Sequence, residues 1–258
     1  MMNILAESPV GVFDSGVGGI SVLREMVKLL PGEDFIFYGD SENAPYGTKP
    51  AQQIRELTLA SCRKLKSQGA KALVIACNTA TSAAIVTLRE TFTDIPVVGI
   101  EPALKPAVHI KDRPRVLVMA TPGTVAGDKY RHLEQQYAQD AEVISLGCPG
   151  LMEFVERGEL DSAALDDYLE TLLAPYRGKV DDVVLGCTHY PFVKRAVSRV
   201  IGETVPILDG SEGTARELKR RLAASGLIRD RDGGGTVVFE GGVARKEELC
   251  QRLLKGED

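Results

Sequence analysis

The chain has 258 residues, of which 44% are hydrophobic, 26% charged and 5% aromatic, with no Trp. Its 31 Lys and Arg against 36 Asp and Glu give a formal charge of −5, which argues against a nucleic-acid binder that works through a basic face. No apolar run approaches the roughly 18 residues of a membrane span, the first residues lack the layout of a signal peptide, and five Cys without a CxxC pair favour reduced thiols in the cytoplasm over a disulfide scaffold.

Taken in chain order, short apolar runs predict strands at Val10–Phe13, Phe35–Tyr38, Ala72–Ala76, Pro96–Ile100, Arg115–Met119, Glu142–Leu146, Asp182–Leu185, Val205–Leu208 and Thr236–Phe239. Between the first two, Ile20, Leu23, Val27 and Leu30 recur at helical spacing. Ile54, Leu57, Ser61 and Leu65 do the same ahead of Gly69, which suits a helix C-terminus. Alternating strands and helices, with nearly continuous apolar strands, predict an α/β fold whose parallel sheets are covered by helices on both faces. Arg229–Gly235 (RDRDGGG) reads as an exposed turn.

The chain also repeats itself. Ser15 corresponds to Thr121, Gly39 to Gly147, Cys77 to Cys187 and Pro96 to Pro206, in the same order and at offsets of about 110 residues. These landmarks predict two pseudosymmetric domains, each a mostly parallel sheet flanked by helices, with a site in the cleft between them. The last residues match neither half, and a parallel sheet needs crossovers, so they are expected to return to the first. The predicted domains are therefore 1–100 plus 210–258, and 101–209.

Ligands of open parallel sheets bind beyond the carboxyl ends of the strands. Asp14, Ser15, Asp40, Cys77, Asn78, Thr79, Thr121, Cys187, Thr188 and His189 fall there. Each half places one Cys where its third strand meets a helix, and helix N-termini favour a thiolate and bind carboxylates through free amides. None of these loop tips carries Lys or Arg, which suits an anion held by amides and hydroxyls, such as an amino-acid zwitterion. Two thiols on opposite walls of a cleft are what inversion of a carbon centre requires, one removing a proton and the other delivering one. Asp14 and His189 are candidate orienters or proton relays.

Each residue also has a plainer reading. Cys62 and Cys250 sit among apolar residues and read as core, and Cys148 before Pro149 reads as structural. His109 and His132 read as surface residues, and Asp14 could simply cap a helix. Cys187 with His189 offers two zinc ligands, but no second pair has ligand spacing, so no metal is expected. A rival motif is concrete: Gly16-Val17-Gly18-Gly19 follows a strand and Asp40 follows the next, imitating a dinucleotide fingerprint. Its sixth position is Ser21 rather than Gly or Ala, and it leaves the second half unexplained.

GVFDSGVGG (Gly11–Gly19), Asp40 with Pro45-Tyr46-Gly47, VIACNTATS (Val74–Ser82) and LGCTHYP (Leu185–Pro191) resemble the glutamate racemases of the cofactor-independent aspartate/glutamate racemase superfamily. The resemblance runs from about Val10 to Leu218. It implies interconversion of L- and D-glutamate without pyridoxal phosphate or other cofactor, a supply of D-glutamate for peptidoglycan, and a cytoplasmic homodimer. By the same resemblance, Cys77 exchanges the α-proton on the D side and Cys187 on the L side, with Asp14 and His189 assisting. Asp14, Ser15, Tyr46, Gly47, Asn78, Thr79, Thr121, Thr188 and His189 match substrate-binding positions, and Glu156 aligns with a further acidic residue near the site.

Two departures stand out: Glu153 occupies a place where relatives often carry Pro, and VVFEGGVARKEEL lacks their hydroxyl-rich strand end. The short stretch before Val10 leads to the expectation that no extension for precursor-dependent activation is present. Three alternatives stay open: aspartate, hydantoin or maleate chemistry on the same fold, a nucleotide-binding protein, and a noncatalytic amino-acid sensor.

Overall fold

The computed structural model describes residues 5–256; residues 1–4 and 257–258, the outermost positions of the first predicted domain, lie outside them. The first elements are β1 (Val10–Asp14), α1 (Ile20–Leu29), β2 (Phe35–Gly39), α2 (Ala51–Ser67), β3 (Ala72–Ile75), α3 (Asn78–Thr91) and β4 (Val97–Gly99). Next come α4 (Leu104–Ala107), β5 (Arg115–Ala120), α5 (Pro122–Val125), α6 (Asp128–Tyr137), β6 (Glu142–Gly147), α7 (Leu151–Glu156), α8 (Ala163–Leu173), β7 (Asp182–Leu185), α9 (Lys194–Ile201) and β8 (Ile207–Asp209). The chain finishes with α10 (Ser211–Ala224), β9 (Val237–Gly241) and α11 (Glu247–Lys255). All nine strands predicted from apolar runs are present, with ends shifted by a residue or two.

The strands form two sheets, ordered β4-β3-β1-β2-β9 and β6-β5-β7-β8. Every pairing among them is parallel. The order β4-β3-β1-β2 in one sheet matches β8-β7-β5-β6 in the other, so the internal repeat is a repeat of topology. Central strands β1, β3 and β7 are buried along their whole length, as continuous apolar runs covered on both faces require. β9 lies beside β2 with Phe35 opposite Val237, which brings the tail back to the first sheet.

Helix α1 buries Ile20, Val22, Leu23 and Met26, and packs on α10, which offers Ala215, Leu218 and Leu222. Each fully buried aliphatic side chain of this kind contributes about 1.5–3 kcal/mol. On α2 the buried face includes Thr58 and Ser61; their hydroxyls donate to the carbonyls of Ile54 and Leu57 at 2.7 and 3.0 Å, so they enter the core without orphaned polar atoms. Gly69, two residues past α2, has φ +89°, the left-handed geometry that ends a helix.

At the edge of the first sheet remote from its carboxyl ends, Lys71 Nζ pairs with Glu33 Oε2 at 2.6 Å with both side chains buried. Glu33 Oε1 accepts from the Arg229 amide at 2.9 Å, and Asp34 accepts from Arg231 and from Thr236 at 2.9 Å. The segment read as an exposed turn is thus tied down at its base, with Arg229 half-buried. Among the described residues, no helix is long and apolar enough to cross a membrane.

Candidate active site

The carboxyl ends of the two sheets face one another, and the predicted residues meet there. Asp14 ends β1 and is fully buried. Its Oδ1 accepts from the Gly16 amide at 2.7 Å, so it closes a tight turn and does not cap α1, which starts at Ile20 behind Gly19. Its Oδ2 accepts from Thr188 Oγ1 at 3.0 Å, across the cleft. Burial pushes the Asp14 carboxyl up to about 6, against the opposing pull of His189 and its two hydrogen bonds.

Cys77 and Cys187 occupy matching places after β3 and β7. Both are nearly closed off from solvent, at 6% and 7% exposure. Cys77 is the N-cap of α3, where its Sγ accepts from the Ala80 amide at 3.4 Å and shares a hydrogen bond with Ser15 Oγ at 3.5 Å. Burial pushes the Cys77 thiol up to about 12, aided by the nearby Asp14 charge and by Cys187, so Cys77 rests as a thiol.

On the other wall, Cys187 Sγ lies 3.7 Å from His189 Nδ1. His189 Nε2 lies 2.8 Å from Glu156 Oε1, at the end of α7. Burial works against a charge on the imidazole, but the contacts with Cys187 and Glu156 outweigh it and raise His189 well above its ordinary value. With both ring nitrogens protonated, one N–H donates to Glu156 and the other to the Cys187 sulfur. Burial likewise opposes a charge on Glu156, yet hydrogen bonds from His189, Lys246 and the Val17 amide hold it down to about 2.

Two of the glycines of the DSGVGG turn, Gly16 and Gly18, are explained by this wall. A Cβ on Gly16 would lie 2.0 Å from Glu156 Oε1, and one on Gly18 would lie 2.2 Å from His189 Nδ1. The turn that imitates a dinucleotide fingerprint is therefore occupied by the protein's own His189 and Glu156. Asp40, the other half of that imitation, accepts from Tyr46 Oη at 2.7 Å and from Asn43 at 3.0 Å.

The remaining predicted residues close the cleft. Thr79 Oγ1 lies 3.1 Å from Thr121 Oγ1 and 3.0 Å from Thr124 Oγ1, which are themselves 2.9 Å apart. This hydroxyl triangle joins the start of α3 to the N-cap of α5. Gly47, in a short 3-10 turn with Tyr46, packs so near that a Cβ there would sit 3.2 Å from Thr121. Tyr46 is buried and spends its hydroxyl on Asp40. Asn78 opens α3, buried, with an Oδ1 that has no hydrogen-bond partner; it is an acceptor available to a ligand's ammonium group.

Cys148 donates to the Leu146 carbonyl at 3.5 Å, and Cys250 to that of Val243 at 3.7 Å. Cys62 is fully buried in the core, and His109 and His132 are exposed. Among the described residues, no group of three or more His, Cys, Asp or Glu could hold a metal ion.

Three contacts were not read from the sequence. Thr124 completes the hydroxyl triangle, and Ser21 Oγ donates to the Thr188 carbonyl at 2.8 Å. Lys246, in the segment whose departure had no chemical reading, places Nζ 2.6 Å from Glu156 Oε2. Thr124 was legible from its spacing to Thr121; nothing local marks the other two.

A family model described as Asp/Glu/Hydantoin racemase matches residues 10–218. A glutamate racemase of Clostridium novyi is 49% identical over 248 residues, which are 96% of each chain. A glutamate racemase isoform from Bacillus anthracis superposes with a TM-score of 0.86 at 32% identity, over 97% of this chain and 95% of that one. The glutamate racemase of Francisella tularensis, solved in complex with D-glutamate, gives 0.83 at 27% identity over 97% and 95%.

Proposed function

Because the chain belongs to the Asp/Glu/Hydantoin racemase family, we propose that it interconverts L- and D-glutamate by a two-thiol mechanism. The observation that carries this reading is the matched placement of Cys77 and Cys187, buried at the ends of equivalent strands on opposite walls of one cleft. In the L-to-D direction the Cys187 thiolate takes the α-proton, forming S–H and leaving the electron pair on the α-carbon. The Cys77 thiol then delivers its proton to the other face, and the reverse direction exchanges the roles. His189 stabilises the Cys187 thiolate, and the Asp14 charge keeps Cys77 protonated until it is needed.

The binding roles follow from what each group offers. The amides opening α3, with the hydroxyls of Ser15, Thr79 and Thr121, supply donors for carboxylate oxygens, while the Thr188 hydroxyl, whose proton goes to Asp14, offers its oxygen as an acceptor. Asn78 Oδ1 and Asp14 supply acceptors for the ammonium, and the Tyr46–Gly47 turn lines the rim. No cofactor enters the scheme.

The reading extends to a cytoplasmic enzyme that supplies D-glutamate for peptidoglycan and assembles as a homodimer. It also treats 1–100 with 210–258 and 101–209 as two domains that part to admit substrate, a reading supported by the near-complete burial of both thiols. The deciding experiment follows the circular dichroism of L-glutamate in D₂O with purified chain and no added cofactor. Decay toward zero with deuterium at the α-carbon supports the reading, and a flat signal without exchange refutes it.

A further inference from the structure

Lys246 ends the short 3-10 turn after β9 and so belongs to the first sheet, whereas Glu156 on α7 and His189 after β7 belong to the second. Lys246 Nζ lies 2.6 Å from Glu156 Oε2 and donates to the Glu156 carbonyl at 3.2 Å. The other oxygen, Oε1, accepts from the Val17 amide at 2.9 Å and lies 2.8 Å from His189 Nε2. Both anchors of Glu156 other than His189 therefore come from across the cleft.

We propose that Lys246 is a positioning residue for the Cys187 base, acting through Glu156 and His189 only while the cleft is shut. The inference rests on the two-thiol reading and adds a conditional step to it. With Oε2 pinned by Lys246 and Oε1 by Val17, the Glu156 carboxylate cannot rotate, and one oxygen stays in line with His189 Nε2. That bond fixes the imidazole so that its Nδ1 points at Cys187 Sγ, 3.7 Å away.

When the cleft opens, Lys246 and Val17 withdraw together, and Glu156 is left free to turn from His189. His189 is then aligned with Cys187 Sγ only after substrate is enclosed. The other titratable groups around this chain of contacts are Asp14 at the end of β1 and Cys250 and Glu247 on α11. Lys246 meets the Glu156 carboxylate at Oε2 while His189 meets it at Oε1.

Rates alone cannot assign a residue to one thiol, because enantiomers are equally stable and kcat/KM must be equal in the two directions. Isotope effects can. With α-deuterated L-glutamate the labelled atom is removed by Cys187, and with α-deuterated D-glutamate by Cys77.

In Lys246→Met, kcat should fall about tenfold with KM little changed, because Glu156 is misplaced without touching substrate. The deuterium effect should rise with the L substrate and fall with the D substrate, and Lys246→Arg should restore both. Isotope effects that keep their wild-type ratio, or no recovery with Arg, would overturn the proposal. Cys187→Ser measured alongside separates the two levels. Asymmetry there but not in Lys246→Met rejects Lys246 alone, whereas symmetry in Cys187→Ser rejects the two-thiol reading. If Lys246→Met fails to fold, Lys246→Gln is judged by the same isotope ratio.

Discussion

Thr188 Oγ1 donates to Asp14 Oδ2 at 3.0 Å, so the residue after Cys187 clamps the acid whose charge acts on Cys77. The bond joins the end of the first strand to the loop after the seventh, across the cleft. Asp14 is fully buried, and its carboxyl is pushed up to about 6 by that burial. Above this pH its charge adds to the burial that keeps Cys77 a thiol, the form the proposed mechanism needs as proton donor. The pH profile of kcat/KM should therefore rise through an inflection near 6. Asp14→Asn should lower the rate by about a hundredfold and remove that inflection, as loss of a positioned acid–base partner does. An inflection retained in the variant would assign it to another group.

The thiols make a sharper prediction, because the proposed mechanism has each serve one face of the substrate. Cys77→Ala and Cys187→Ala should each abolish racemisation by circular dichroism, since one face loses its proton carrier. They should still differ in D₂O. Cys77→Ala should exchange the α-proton of L-glutamate through the surviving Cys187, and Cys187→Ala that of D-glutamate through Cys77. Racemisation at the wild-type rate in either variant would remove the two-thiol mechanism.

The strands were readable because parallel sheets covered on both faces demand uninterrupted apolar runs, and β1, β3 and β7 supply them. The matched positions of Cys77 and Cys187 were readable because a topological repeat leaves residues at a fixed offset. The glycine turn was legible only as a motif. Its physical reason, two side chains lying flush against Gly16 and Gly18, comes from residues far along the chain. Lys246 was hidden for the same reason: its partner is 90 positions away, and a Lys beside Glu247 and Glu248 looks like a solvated helix start. Pairings between distant loops leave no local periodicity to read.

Gly18 turns that packing into a test. A methyl group there would lie 2.2 Å from His189 Nδ1 and 2.7 Å from Cγ, too close for the ring to stay. Gly18→Ala should cost about 1–3 kcal/mol of stability, as overpacked sites do. Its larger effect should be on turnover, with kcat lowered about a hundredfold by displacement of the imidazole from Cys187. Urea unfolding and steady-state kinetics on one preparation would separate the two effects. Unchanged kcat would mean that His189 does not act on the thiol.

Asp182 at the start of β7 offers a prediction far from the chemistry. It is fully buried, and neither carboxylate oxygen has a hydrogen-bond partner. Burial, with the adjacent Asp181 charge, pushes its carboxyl up to about 7 from the ordinary 3.8. Between those two values the folded protein holds a proton that the unfolded chain has released. Folding stability should then fall as pH rises from about 4 to 7 and level off above, because the unfolded state binds fewer protons across that window. Asp182→Asn cannot ionise, so its urea midpoint should fall less steeply, keeping only the share due to Asp14, and gain on the wild type as pH rises. Parallel pH profiles for the two proteins would mean that Asp182 is already charged in the fold and has a partner supplied by solvent.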